Sequence, residues 1–212
     1  MSDAATATAI PGQKPVPHFG SASYGKIGMW IFLITDGLGF AGLLIALAVL
    51  RAGATQWPPN PEADRLGIPF TAVMTFVLIC SSVTMVLALA AAQDGNRKQL
   101  LAWLGATVAG GLFFLCGQVF EYRHLMHEGM TLAADHFAGT FFVITSYHGL
   151  HVLTGVIYLA VMLALSVRRP LGPAHINLLE IAGLFWHFVD LVWILVFTFV
   201  YLIPNPATGG VR

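Results

Sequence analysis

Five apolar runs, at residues 27–50, 70–92, 100–122, 137–167 and 179–203, dominate this 212-residue chain. Each exceeds the roughly 20 helical residues that cross the hydrocarbon core of a bilayer. Lipid supplies no hydrogen-bond partner, so a run of that length satisfies its backbone only by closing its own N–H and C=O groups into a helix. Composition agrees, with 57% hydrophobic and only 9% charged residues. The expected fold is all-α: a polytopic membrane protein built as a five-transmembrane-helix bundle. The ten basic and ten acidic residues cancel, so net charge points to neither nucleic acid nor an anionic soluble partner.

Polar or turn-forming connections separate the runs: 51–69 with four prolines, a short 93–99 link carrying Asp94-Gly95-Asn96, 123–136, and 168–178 with Pro170 and Pro173. Residues 1–24 are expected to be a disordered or extended tail, since the Ala/Thr/Pro-rich start lacks the apolar core of a signal peptide. Residues 25–204 form the membrane domain and 205–212 a C-terminal tail. Lys14, Lys26, Arg97, Lys98, Arg168 and Arg169 fall on the side of the N-terminus, against Arg51, Arg65, Arg123 and Arg212 on the other. The bias favours an N-terminus inside and a C-terminus outside.

In the third run Ala102, Ala106 and Gly110 recur every four residues, with Gly105 and Ala109 alongside. Small residues at that spacing let two helix backbones approach closely, and the row is expected to face another helix. Cys80 and Cys116 stand alone in separate runs, with no CxxC, and are expected to be small core residues rather than a disulfide or zinc site. Trp186 and Trp193 are expected to pack against lipid or other helices.

Ionisable side chains inside such runs are costly and face a protein interior, a partner or water. Asp36 interrupts the first run near its middle. His148 and His151, in SYHGLHVLTG, are three residues apart on one face of the fourth helix, where Gly149 and Gly155 permit close approach of a neighbour. No HExxH or acid-rich ligand set accompanies them, so interhelical hydrogen bonding is preferred to metal binding and no metal site is expected. In the fifth run His187 and Asp190 are spaced i, i+3, with Glu180 two turns earlier on nearly the same face. That stripe suits either structural pairing or proton exchange. Gln118, Glu121 and Tyr122 form a further polar group closing the third run, for which an interfacial role is expected. Spacing alone leaves two other classes open. Histidines on different spans, His148 or His151 facing His187, could ligate haem in a membrane-anchor b-type cytochrome; a proton-coupled transporter is the other, although no inverted repeat or paired broken helix is evident.

Taken together the motifs resemble subunit III of the haem-copper respiratory oxidases, in its shorter five-helix bacterial form. The resemblance covers residues 25–204 and is carried by GMWIFLITDGLGFAGLL at Gly28 to Leu44, SSVT at Ser81 to Thr84, GQVFEY at Gly117 to Tyr122, HGLHVLTG at His148 to Gly155, and Glu180 followed by WHFVDLVW at Trp186 to Trp193. It implies a non-catalytic core subunit of a proton-pumping terminal oxidase that reduces oxygen to water. No cofactor is then expected on this chain; haems and copper belong to subunits I and II. Subunit III of the family packs beside subunit I, sustains proton uptake and holds phospholipid in a cleft bounded by the first two of seven helices. This chain resembles a form lacking those two, so that cleft does not carry over directly. Asp36 stands where many members carry glutamate, and the aspartate is familiar from quinol-oxidising relatives. HGLHV and GQVFEY resemble cytochrome c oxidase members, whereas Asp36 and VFTFVYLI at Val196 to Ile203 resemble quinol oxidases. Cytochrome c is the preferred donor to the complex and quinol the alternative.

Overall fold

The computed structural model describes residues 18–19, 22–54, 57, 67–168 and 172–203. Of the expected tails at 1–24 and 205–212, residues 1–17, 20–21 and 205–212 lie outside the described residues. Among the described residues five helices form: α1 (Tyr24–Gly53), α2 (Ile68–Gln93), α3 (Arg97–His127), α4 (His136–Arg168) and α5 (Pro173–Phe197), the last continuing into a π-helical turn at Thr198–Leu202. All five are long and apolar enough to span a bilayer. Two short strands, β1 (His18–Phe19) and β2 (Ala22–Ser23), pair antiparallel before α1.

Local chemistry sets the helix ends. Ser23 caps α1 by accepting the Lys26 N–H at 3.3 Å, Asn96 caps α3 by accepting from Gln99 at 3.2 Å, and Asp135 accepts the Ala138 N–H at 2.7 Å at the start of α4. α2 and α5 begin with proline in the first turn, where a missing N–H costs nothing. Gly95 (φ +71) and Gly129 (φ +86) end α2 and α3 in the left-handed region. At each, the next residue's N–H closes back onto a carbonyl of the last turn, Asn96 to Ala91 at 2.8 Å and Met130 to Leu125 at 3.0 Å.

α5 is the pillar of the bundle: 56% of its most apolar stretch is buried, against 17% for α1, which is the helix most open to lipid or a partner. α5 packs on α1, α2 and α4, while α3 bridges α2 and α4. The buried row of α3 runs Leu100, Leu104, Thr107, Gly111, Phe114, Gln118, Glu121, Leu125, alternating steps of four and three as in left-handed helix pairs. Ala102, Ala106 and Ala109 lie on the other side and are exposed, while Gly110 packs close against Ser81 of α2. The large residues of the 4-3 row decide which face turns inward. Cys80 and Cys116 are also exposed rather than core residues, because they fall on the outward faces of α2 and α3. Trp186 and Trp193 are both buried against helices, at 1% exposure each. A Cβ added to Gly155 of α4 would stand 2.9 Å from the Trp186 ring, and one on Gly111 of α3 would also collide with it. The indole therefore fills the space that these two glycines leave.

Candidate functional site

α1 and α5 run parallel, and the start of α1 is joined to the second and third turns of α5 by a Lys26–Glu180 ion pair and by a Ser23–Asn177 hydrogen bond of 2.7 Å. Ten residues further along each helix come Asp36 and Asp190, about 15 Å deeper at 1.5 Å per residue. That is half the thickness of a hydrocarbon core, so the two carboxyls lie at a common level near its middle.

Asp36 faces α4. Its Oδ1 accepts the Tyr147 hydroxyl at 3.0 Å and lies 3.2 Å from His151 Nε2. His151 Nδ1 is 2.7 Å from the Tyr147 carbonyl, which can only accept, so Nδ1 carries a hydrogen. The Nε2···Oδ1 contact then requires one further proton, on the imidazole or on the carboxyl. Phe40 packs edge-on to His151 at 5.2 Å, and the side chains of Asp36 and His151 are only 8% and 13% exposed. Asp36 Oδ2 is buried with no partner.

His148 does not join this pair, although only three residues separate it from His151. Its ring is completely buried, stacked on Trp193 at 4.7 Å and edged by Phe114, with both nitrogens unpartnered. The 60° between positions i and i+3 sends His151 toward α1 and His148 into the core.

The expected stripe on α5 divides in the same way. Glu180 turns to α1 and Lys26, whereas His187 meets α2 at Ser82. His187 Nδ1 is 3.1 Å from Ser82 Oγ, and Asp190 is buried with its Oδ1 unpartnered. His187, the first member of the His-Asp unit that the spacing suggests, thus pairs with a serine of α2. Above and below it, Trp186 Nε1 donates to Ser81 Oγ at 3.1 Å and Trp193 Nε1 donates to Thr75 at 2.9 Å. Together these make a ladder of polar rungs between α5 and α2, which in lipid supplies the specificity that apolar contact cannot.

At the far end of α3, Glu121 is 5% exposed, with Oε1 accepting from Thr71 at 2.8 Å and Oε2 from Tyr201 at 3.1 Å. Gln118 donates to the Thr145 carbonyl at 2.7 Å and to Tyr122, whose hydroxyl also meets Thr145 Oγ1 at 2.6 Å. This group locks α2, α3, α4 and the π-helical turn together inside the bundle rather than at its edge.

Among the described residues no three His, Cys, Asp or Glu side chains converge as a metal site would require. The three histidines proposed as haem ligands have separate surroundings: Asp36 for His151, aromatic rings for His148, Ser82 for His187. Sequence reasoning missed Tyr147, Ser82, Thr71, Thr145 and Tyr201 as partners. Tyr147 adjoins His148, and Ser82 sits in the SSVT motif, but nothing in the sequence gives the rotation that aims them at an acid.

The sequence model of one family, described as Cytochrome c oxidase subunit III, matches residues 17–204. Similar curated proteins include Cytochrome c oxidase subunit 3 of Synechocystis sp., 36% identical over 211 residues, covering 96% of this chain and 85% of the relative. Cytochrome bo(3) ubiquinol oxidase subunit 3 of Pseudomonas putida is 36% identical over 177 residues, 84% of each chain. Cytochrome c oxidase subunit 3 of Corynebacterium diphtheriae is 34% identical over 181 residues, 84% of this chain and 87% of the relative. None of these resemblances supports a membrane-anchor cytochrome.

Proposed function

The chain belongs to the cytochrome c oxidase subunit III family, and from that premise we propose that it sits beside subunits I and II of a proton-pumping oxidase and sustains proton uptake by subunit I without holding a redox centre itself. The chain is a subunit III of a haem-copper oxidase complex, and oxygen reduction belongs to that complex. The observation that carries the proton reading is Asp36. It is an acid near mid-depth, on the helix least covered by its own bundle, whose contacts with Tyr147 and His151 account for one shared proton.

The excess of basic residues at the N-terminal ends supports a cytoplasmic N-terminus in the bacterial cytoplasmic membrane. Lys26 and Glu180 then meet the aqueous phase from which protons are drawn. A groove of about 980 Å³ between α1 and α4, lined by Leu43, Leu50, Trp57, Phe137 and Val143, has the apolar walls suited to a phospholipid acyl chain. Cytochrome c is the donor we favour. Quinol is the second reading, favoured by Asp36 and by the similarity to the Pseudomonas putida ubiquinol oxidase subunit.

The test is the purified complex with and without this subunit, assayed for initial oxygen consumption, protons pumped per electron and rate of inactivation during turnover. Loss of persistence or pumping with initial oxygen reduction retained supports the reading; indifference in all three refutes it. Assay with reduced cytochrome c and with quinol decides the donor.

A further inference from the structure

Thr71 has one hydroxyl hydrogen and stands between two acceptors. Its Oγ1 is 3.2 Å from the carbonyl of Gly67, the residue before α2, and 2.8 Å from Glu121 Oε1 on α3. A carbonyl only accepts, so a hydrogen given to Gly67 is no longer there for Glu121. The second carboxyl oxygen, Oε2, takes the Tyr201 hydroxyl at 3.1 Å. All three residues lie inside the bundle, Thr71 at 0%, Glu121 at 5% and Tyr201 at 6% exposure. Neither partner of the acid is a cation, and among the described residues no lysine, arginine or histidine forms an ion pair with it. On its own helix His124 turns to Glu128 and Tyr122 to Thr145. Around Tyr201 stand Phe141 of α4 and Trp193 and Phe197 of α5.

Two hydrogen placements fit these distances. As a carboxylate, Glu121 takes the Thr71 hydrogen, which leaves the Thr71–Gly67 contact without one and a full charge held by two neutral hydroxyls inside a membrane bundle. As a neutral acid, Glu121 donates its own hydrogen from Oε1 to Thr71 Oγ1, Thr71 donates to Gly67, and Tyr201 donates to the carbonyl oxygen Oε2. Each of the three contacts then holds one hydrogen and no charge is buried. The second placement is favoured, because an ion in this setting loses its hydration and gains no countercharge. We propose that Glu121 holds a structural proton, a hydrogen that stays on Oε1 through turnover of the complex and ties α3 to the start of α2 and to the π-helical turn. Both partners stand at element ends, Thr71 three residues past Ile68 and Tyr201 one before Leu202, so the bonds close one end of the bundle. Asp36 differs in kind, since its Oδ1 meets an imidazole. An imidazole takes up and returns protons near neutral pH, whereas the threonine hydroxyl beside Glu121 does neither.

The structural proton does not depend on the proton-uptake role proposed above, and infrared spectra of the whole oxidase complex test it. A protonated-carboxyl band present in the wild type at neutral pH is expected to be lost in Glu121→Gln, whose amide reproduces the same bonds, N–H to Thr71 and carbonyl from Tyr201. Tyr201→Phe is expected to move that band to higher frequency, because the carbonyl oxygen loses its donor. Thr71→Val is expected to move it as the acid hydrogen loses its acceptor, while Thr71→Ser, which keeps a hydroxyl, leaves it in place. The band is expected to be the same in the oxidised and the reduced complex. Should Glu121→Gln fail to assemble, the upward shift in Tyr201→Phe identifies the band by itself. The absence of any protonated band lost in Glu121→Gln, or of any band moved by Tyr201→Phe, overturns the structural proton. A band that changes between the oxidised and reduced complex overturns it too, and places Glu121 among the acids that exchange protons during turnover.

Discussion

Tyr201 reaches back from the π-helical turn to donate its hydroxyl to Glu121 Oε2 at 3.1 Å, and so ties the end of α5 to the third helix. Tyr201→Phe leaves that buried oxygen unpaired, at an expected cost of about 1–3 kcal/mol. The thermal midpoint of the purified complex should fall. In a Glu121→Met background, where both polar groups are gone, the same change should cost little, and a double-mutant cycle on the midpoint reads the difference.

Trp186 occupies the gap left by Gly111 and Gly155. Gly155→Ala is expected to destabilise the bundle by about 1–3 kcal/mol through overpacking, and Gly155→Leu to abolish assembly. Detergent-stable yield of the subunit, compared with Gly28→Ala where nothing lies within 4 Å of the added carbon, measures it.

Asp36→Asn keeps the shape of the side chain and removes its proton chemistry. Initial oxygen reduction should fall by less than about tenfold, well short of the roughly 100-fold or greater loss on removing an obligatory proton-transfer group. The pumping ratio or the lifetime under turnover should drop. Wild-type values for all three would make Asp36 a packed polar contact and nothing more.

The Lys26–Glu180 pair is a third exposed on the lysine side and a quarter on the glutamate side. Lys26→Met should therefore change stability by no more than about 1 kcal/mol, seen as an unmoved thermal midpoint in moderate salt.

The outward face of α3, with Ala102, Ala106 and Ala109 exposed, is smooth enough for another subunit's helix. Ala106→Leu should weaken retention of subunit I during purification without altering the subunit's own melting. Unchanged co-purification assigns that face to lipid.

All five helices were legible as apolar runs, because hydropathy measures the solvent each segment can tolerate. Their ends were less so. α5 begins at Pro173 rather than 179, since its first turn is amphipathic, and α3 continues to His127 through charged residues at its aqueous end. The acids and histidines of the candidate site were visible as misfits in lipid. Their pairings were not, because helix rotation follows from bulky residues packing elsewhere. The Leu100–Leu104–Thr107–Gly111 row turns Ala106 outward, and a 60° offset parts His148 from His151. Ser82 remained hidden because a serine in a membrane helix is ordinary until its hydroxyl is seen beside an imidazole of another helix.

Asp94, Gly95 and Asn96 are all that separate α2 from α3, so closing that hairpin costs little chain entropy. As the chain emerges from the insertion machinery, α2 and α3 can dock within moments of each other and offer a ready surface to whatever follows. α1 has a different history. The tyrosine and histidine that receive its acid come 111 and 115 residues later. Asp36 therefore enters the bilayer ahead of both, and the first helix cannot settle until the fourth has been made.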